Sequence, residues 1–210
     1  MRKVLYFIRH GQTDLNLKGI VQGRGVDSPL NEHGFQQANA FYEAYKSIPF
    51  DKIYTSTLLR THQTVAPFLE QGIPIEKLEG LDEISWGIYE GKEQNTEILK
   101  GFESLVESWK KNDLDKSVDK GESPNSLIKR QKVAISHILE QENENTVLIC
   151  MHGRALRIML CHLTNVPVCQ MDDFPHANTA LYKLVYENQQ FSIIDHYNIE
   201  HLEKFGNGEN

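Results

Sequence analysis

Apolar positions along this 210-residue chain follow two different periods. Val4 to Ile8, Lys52 to Thr55 after Phe50, and Val147 to Met151 are brief β-branched and apolar runs. Each passes into polar or glycine-containing sequence and reads as a buried strand. Between them the spacing lengthens to three or four, at Phe35, Ala38, Phe41 and Tyr45, and at Leu127, Gln131, Ile135 and Ile138 with one polar position. Ser123-Pro124 ahead of the second series marks a helix start, with serine as N-cap and proline at the first helical position. Strands alternating with helices of this length predict an α/β fold: a three-layer sandwich with a mostly parallel central sheet and helices on both faces. Ala180 to Tyr186 with Phe191 to Ile194 predicts a hairpin around Glu187-Asn188-Gln189, and so one antiparallel edge. The charged stretch from about 92 to 120 carries two short helix-like segments. It is expected to be an insertion over the sheet's end, a lid within a single domain spanning 1–210. Gly206 to Asn210 is expected to be a disordered end.

Composition narrows the class. With 40% hydrophobic and 24% charged residues the chain can bury a core, which excludes general disorder. Its apolar runs fall far short of the about 20 residues that a membrane span needs, so no membrane partner is expected. A net charge of −7 argues against general nucleic-acid binding, yet leaves room for a local anion site wherever the few arginines gather. These are Arg2, Arg9, Arg24, Arg60, Arg130, Arg154 and Arg157. Three cysteines without a CxxC pair, and a basic start whose apolar run is too short for a signal peptide, point to the cytoplasm. Cys161, His162, Cys169 and His176 match no usual zinc spacing, so no metal is expected, and a GxxxxGK[ST] phosphate loop is absent.

Two passages resemble each other: Val4 to Gly11 and Val147 to Gly153 are both buried-strand patterns ending in His-Gly. Ligands of open α/β sheets bind beyond the carboxyl ends of strands, so two central strands would bring His10 and His152 into one crevice. A third His-Gly, His33-Gly34, has no strand before it. Arg9 adjoins His10, and Arg60 is expected in the first turn of a helix capped by Ser56 or Thr57, at the same end of the sheet. Two guanidinium forks match the oxygens of a phosphoryl group and hold a nearby imidazole neutral, hence nucleophilic. An acid to protonate a leaving oxygen is available three times over in Leu81 to Gly91. Glu83 competes there with Asp82 and Glu90, for which solvated or capping roles are the alternatives.

Phe7-Ile8-Arg9-His10-Gly11-Gln12-Thr13 with Asn16 resembles the signature of the histidine phosphatase superfamily, the phosphoglycerate mutase-like fold. So do Gln22-Gly23 with Asp27-Ser28-Pro29-Leu30, Thr55-Ser56 to Arg60, Leu81-Asp82-Glu83 with Gly87 and Glu90-Gly91, Gly121-Glu122-Ser123, and His152-Gly153. The matches keep their order from Arg9 to Asn178. The resemblance implies His10 as the nucleophile that becomes phosphohistidine, with Arg9, Arg60 and His152 holding the phosphoryl oxygens and Asn16 as a further donor. It implies Glu83 as the acid and then the base, Gln22 and Gly23 at the substrate entrance, Gly153 beside the site and Asn178 near the pocket. No metal cofactor is implied, since arginines and histidines supply the positive charge.

Departures from the pattern bear on the substrate. Ile20 stands where many relatives carry arginine, a charge that Arg24 or Arg154 could replace, and Arg154 itself stands where glycine is usual. Ile84-Ser85-Trp86 replaces the Arg-His-Tyr that true mutases resemble, and no arginine lies between Arg60 and Arg130. The expectation is therefore a phosphatase acting on small phosphorylated metabolites, as a monomer or homodimer. The alternatives are a phosphoglycerate mutase primed by 2,3-bisphosphoglycerate and a non-catalytic phospho-ligand binder, against which the intact set of site residues argues.

Overall fold

A computed structural model describes residues 2–206; the remainder of the expected disordered tail, 207–210, lies outside the described residues. In chain order the elements are β1 (Arg2–Arg9), α1 (Asp14–Leu17), α2 (Glu32–Tyr45), β2 (Lys52–Thr55), α3 (Leu59–Leu69), β3 (Ile75–Lys77), α4 (Thr96–Lys110), α5 (Pro124–Glu140), β4 (Thr146–Met151), α6 (Gly153–Thr164), β5 (Leu181–Glu187), β6 (Gln190–Asn198) and α7 (Glu200–Gly206). Six strands form one sheet in the order β3-β2-β4-β1-β5-β6. The first four run parallel, and β5 pairs antiparallel with both β1 and β6, which is the mostly parallel sandwich that the pattern predicts.

The period of two along the central strands builds both hydrophobic layers at once. Leu5, Phe7, Val147, Ile149 and Met151 pack toward α5 and α6, against Leu127, Ile138, Leu156 and Met159. Tyr6, Ile8, Leu148 and Cys150 point the other way, toward Phe41 of α2 and Val65 and Phe68 of α3. The register that pairs Leu5 with Val147 and Ile8 with Cys150 keeps these faces aligned. Helix α5 begins as expected, with Ser123 accepting from the Ser126 N–H and Pro124 at its first turn. Its one polar core position, Gln131, donates to the Ala155 carbonyl at 2.7 Å and so ties α5 to α6. The hairpin turns on Asn188 (φ 50°) and Gln189 (φ 61°), two left-handed residues as a type I′ turn requires.

Two expectations change. Strand β3 carries no fully buried residue, and its three positions are too few for a period to register. The 92–120 segment holds one helix of 15 residues, α4, instead of two short ones. Asn95 caps it by accepting from the Ile98 N–H, and its buried Ile98, Leu105 and Trp109 keep a spacing that interleaved charges obscure. Among the described residues no helix is long and apolar enough to cross a membrane.

Candidate active site

The centre of the sheet sets the site. Strands β1 and β4 are parallel neighbours, so the residues that follow them, His10 and His152, emerge side by side with ring centroids 5.1 Å apart. The His10 N–H donates to the Met151 carbonyl at 3.0 Å, and the Thr179 N–H donates to the Arg9 carbonyl at 3.0 Å. Gly11 is there because backbone closes on it. A Cβ at Gly11 would sit 2.6 Å from the Gly34 carbonyl oxygen, and one at Gly34 would collide with the backbone of Gln12. His33-Gly34, with no strand before it, thus supplies the close approach beneath the His10 loop.

Hydrogen bonds assign the imidazole protons. His10 Nδ1 lies 2.7 Å from the Gly11 carbonyl, which can only accept, so Nδ1 carries the proton and Nε2 the lone pair. Burial, then Arg60 and Arg9, hold His10 well below the ordinary histidine range and therefore neutral. His152 Nδ1 accepts from Arg60 Nε at 3.2 Å, so its Nε2 donates to Ser56 Oγ at 2.8 Å. Neither Ser56 nor Thr57 is the cap of α3: Ser56 Oγ accepts from the Leu58 N–H at 3.1 Å, ahead of the helix, and Thr57 bonds to Asp82. Leu58 holds that position without a side-chain bond, and Asp27 Oδ1 accepts from the Leu59 N–H at 2.7 Å. Arg60, the second residue of α3 and 1% exposed, also donates to the Val26 carbonyl at 2.7 Å and the Gly23 carbonyl at 3.4 Å. Arg9 spends Nη1 on the His176 carbonyl at 2.7 Å, while its buried Nε has no partner among the described residues.

The three carboxylates separate cleanly. Glu83 Oε1 accepts from the Ile84 and Ala155 N–H groups at 2.9 and 2.8 Å, and Oε2 from the Arg154 N–H at 3.0 Å. Two of those donors are the open N–H groups of the first turn of α6. Asp82 is 2% exposed rather than solvated, and it accepts from the Thr57 N–H and hydroxyl and from Arg24. Glu90 accepts from the Trp86 N–H at 2.8 Å and the Ser85 hydroxyl at 3.2 Å. Arg130 clamps the loop beneath them, donating to the carbonyls of Glu79, Asp82 and Glu83 at 2.9 Å each and bidentately to Glu122.

A cavity of about 340 Å³ opens over the histidines. Its floor holds Arg9, His10, Arg60 and Glu83; Asn16, Gln22, Gly153 and Arg154 flank them. The structure does not bring every expected residue to the wall. His152 is fully buried behind Arg60, and Gly23 contributes only the carbonyl that steadies that arginine. Asn178 turns its amide onto the His10 carbonyl at 2.8 Å, and Arg24 is paired with Asp82 and Glu79. Asn16 and Gln22 are themselves fixed through Thr13, whose N–H and hydroxyl they engage. Ile20 and Trp86, both noted as departures, also line the cavity, and residues that the sequence reading did not place at the site complete it: Val21, Gln94, Leu99, Phe102, Val106 and His176. The 99, 102, 106 spacing is a helical signal that was open to reading. His176 is pushed down to about 3 by burial and by Arg9, and so stays neutral. Among the described residues no group of three or more His, Cys, Asp or Glu side chains is arranged to hold a metal ion.

Known proteins share this fold. The description "Histidine phosphatase superfamily (branch 1)" matches residues 5–199. A mouse 6-phosphofructo-2-kinase/fructose-2,6-bisphosphatase 1 is 31% identical over 86% of this chain and 36% of its own, longer chain. The crystal structure of an Entamoeba histolytica phosphoserine phosphatase in complex with 3-phosphoglyceric acid superposes with a TM-score of 0.81 at 26% identity, covering 95% of this chain and 99% of that one. The α-ribazole phosphatase of Shigella flexneri shares the fold, with a TM-score of 0.81 at 22% identity over 94% and 96% of the two chains. With the family's match covering both central strands and both of their histidines, the chain belongs to branch 1 of the histidine phosphatase superfamily.

Proposed function

We infer that the protein is a phosphatase that hydrolyses small phosphomonoesters through a phosphohistidine on His10. The observation that carries this reading is the His10 imidazole: neutral, with Nδ1 tied to a carbonyl and Nε2 left with its lone pair in a cavity floored by two arginines. In the first step the Nε2 lone pair attacks phosphorus, the ester P–O bond breaks, and Glu83 gives its proton to the leaving oxygen. In the second, water attacks the phosphohistidine, the P–N bond breaks, and the Glu83 carboxylate takes the proton that water sheds. Arg9 and Arg60 hold the phosphoryl oxygens in both steps, and the unused Arg9 Nε is a donor such an oxygen can satisfy. His152 holds Arg60 in place and backs His10. Asn16 and Gln22 border the entrance, and α4 is the lid, its Leu99, Phe102 and Val106 walling the side where the leaving group lies. The guanidiniums supply the positive charge, so the reaction needs no metal. Three free thiols support a reducing compartment, the cytoplasm.

The test is hydrolysis of p-nitrophenyl phosphate in EDTA, with vanadate as inhibitor and His10→Ala and Glu83→Gln as variants. Vanadate-sensitive release is expected from the parent enzyme. His10→Ala should release nothing, and Glu83→Gln should be most impaired on alkyl phosphates, whose leaving oxygens need a proton. Parent-rate hydrolysis by either variant refutes the role given to that residue. An enzyme that leaves the ester intact but isomerises 3-phosphoglycerate once primed with 2,3-bisphosphoglycerate is a mutase. Silence in both assays leaves a binding protein.

A further inference from the structure

One cation of the cavity has no work in this chemistry. Arg154 lies in the first turn of α6 and lines the cavity, its backbone N–H already given to Glu83. Its guanidinium lies 5.9 Å from the ring centres of both Trp86 and Trp109. Among the described residues its one hydrogen-bond partner is Met171 Sδ at 3.4 Å, a weak acceptor.

The nearby carboxylate is already engaged. Arg157 grips Asp172 with Nη2 and reaches the Met171 carbonyl through Nε at 2.9 Å. Lys110 approaches the other Asp172 oxygen at 3.9 Å, and Arg154 itself remains 3.9 Å away, beyond hydrogen-bond reach. Lys110 also has Glu107 at 3.9 Å, so Asp172 is left between two guanidiniums and is spent on Arg157. In a chain of net charge −7, a guanidinium in a cavity whose nearest carboxylate oxygen among the described residues stays 3.9 Å away is a local exception. Its side chain is 21% exposed, and a part-buried charge gains when an anion reaches it, which here can come from a ligand. Because Glu83 serves the leaving oxygen and also takes the Arg154 N–H, this side chain stands on the leaving-group side of the cavity.

We propose that Arg154 is a specificity-determining residue that binds a carboxylate carried by the leaving group, which makes phosphorylated carboxylic acids the preferred substrates. The proposal rests on the phosphatase reading above. A guanidinium fork matches a carboxylate bidentately. A second phosphate would bring up to two negative charges beside Asp172, where the surplus of positive charge is small. Leu99, Phe102 and Val106 give the carbon skeleton an apolar wall, which disfavours a polyhydroxylated sugar. The charge comes from α6, in place of the arginines that this chain lacks between Arg60 and Arg130.

The experiment compares 3-phosphoglycerate with glycerol 3-phosphate, which share a phosphorylated three-carbon skeleton and differ in carboxylate against hydroxymethyl. The kcat/KM ratio is measured for the parent, Arg154→Met and Arg154→Lys. Methionine keeps the bulk against the tryptophans, and the backbone bond to Glu83 survives any side-chain change. The parent should favour 3-phosphoglycerate, and Arg154→Met should lower the ratio by about 10- to 100-fold, or ~1.4 to 2.8 kcal/mol. Lysine should restore part of the preference. In parallel, binding of both compounds to His10→Ala is followed through the fluorescence of Trp86 and Trp109, the chain's two tryptophans. That arm reads the carboxylate preference even if nothing is hydrolysed, so failure of the phosphatase reading and failure of this one are separable. A ratio unchanged by Arg154→Met in both arms overturns the proposal. So does an Arg154-dependent preference for propane-1,3-diyl bisphosphate over 3-phosphoglycerate.

Discussion

Arg130→Met removes the clamp on the loop that carries Glu83 without touching the cavity. The guanidinium makes five hydrogen bonds: 2.9 Å each to the carbonyls of Glu79, Asp82 and Glu83, and 2.8 and 2.9 Å to the two oxygens of Glu122. The pair is largely shielded, with side-chain exposures of 16% for Arg130 and 13% for Glu122. Breaking such a pair from one side strands the partner charge and costs about 3–5 kcal/mol. Water can replace the lost donor at the exposed Glu79 carbonyl, whereas the bonds to the Asp82 and Glu83 carbonyls are part-buried and add to the loss. Taking ~3 kcal/mol, and ~2–4 °C per kcal/mol for a chain of this size, the melting temperature should fall by about 6–12 °C. Glu122→Gln should cost less, because the Arg130 guanidinium keeps three backbone carbonyls and the new amide oxygen as acceptors. The variants are compared by thermal unfolding and by turnover of an alkyl phosphate. Arg130→Met should lose kcat more than KM, since the carboxylate is displaced while the arginines that hold phosphate stay. A melting temperature within 2 °C of the parent, with kcat unchanged, would refute the clamp.

Two further outcomes test the buried groups. Burial holds His10, His152, His162, His176 and His201 below the ordinary histidine range, so the unfolded chain takes up their protons first as pH falls. Their contribution to stability is therefore complete above about pH 6.5 and is lost below it, at up to about 1.4 kcal/mol per pH unit for each. The melting temperature should drop steadily from pH 6.5 to 5; a flat profile would mean that these rings are solvated. Gly34→Ala should destabilise by about 3 kcal/mol or prevent folding, because its Cβ meets the backbone of Gln12. Near-parental urea unfolding of this variant would show that the Gln12 loop can yield.

Local physics was legible in the chain. The unbroken apolar runs Val4 to Ile8 and Val147 to Met151 fit strands buried on both faces, and strand geometry divides their side chains between the two layers. The Ser123-Pro124 start likewise depends only on the open N–H groups of a helix's first turn. The matched His-Gly endings marked His10 and His152 as partners because parallel neighbours necessarily end together. Contacts between distant segments were not legible. Nothing near Gly34 in the sequence says that Gln12 will lie against it, and the spacing around Glu83 does not reveal the α6 N–H groups that set it apart from Asp82 and Glu90. The same holds for the two arginines that had equal claim as a replacement charge. Packing pairs Arg24 with Asp82 and leaves Arg154 in the cavity, because Arg157, one turn further along α6, reaches Asp172 first. Residue type and period decide what a segment can form, whereas only the folded chain decides which donors and acceptors are already spent.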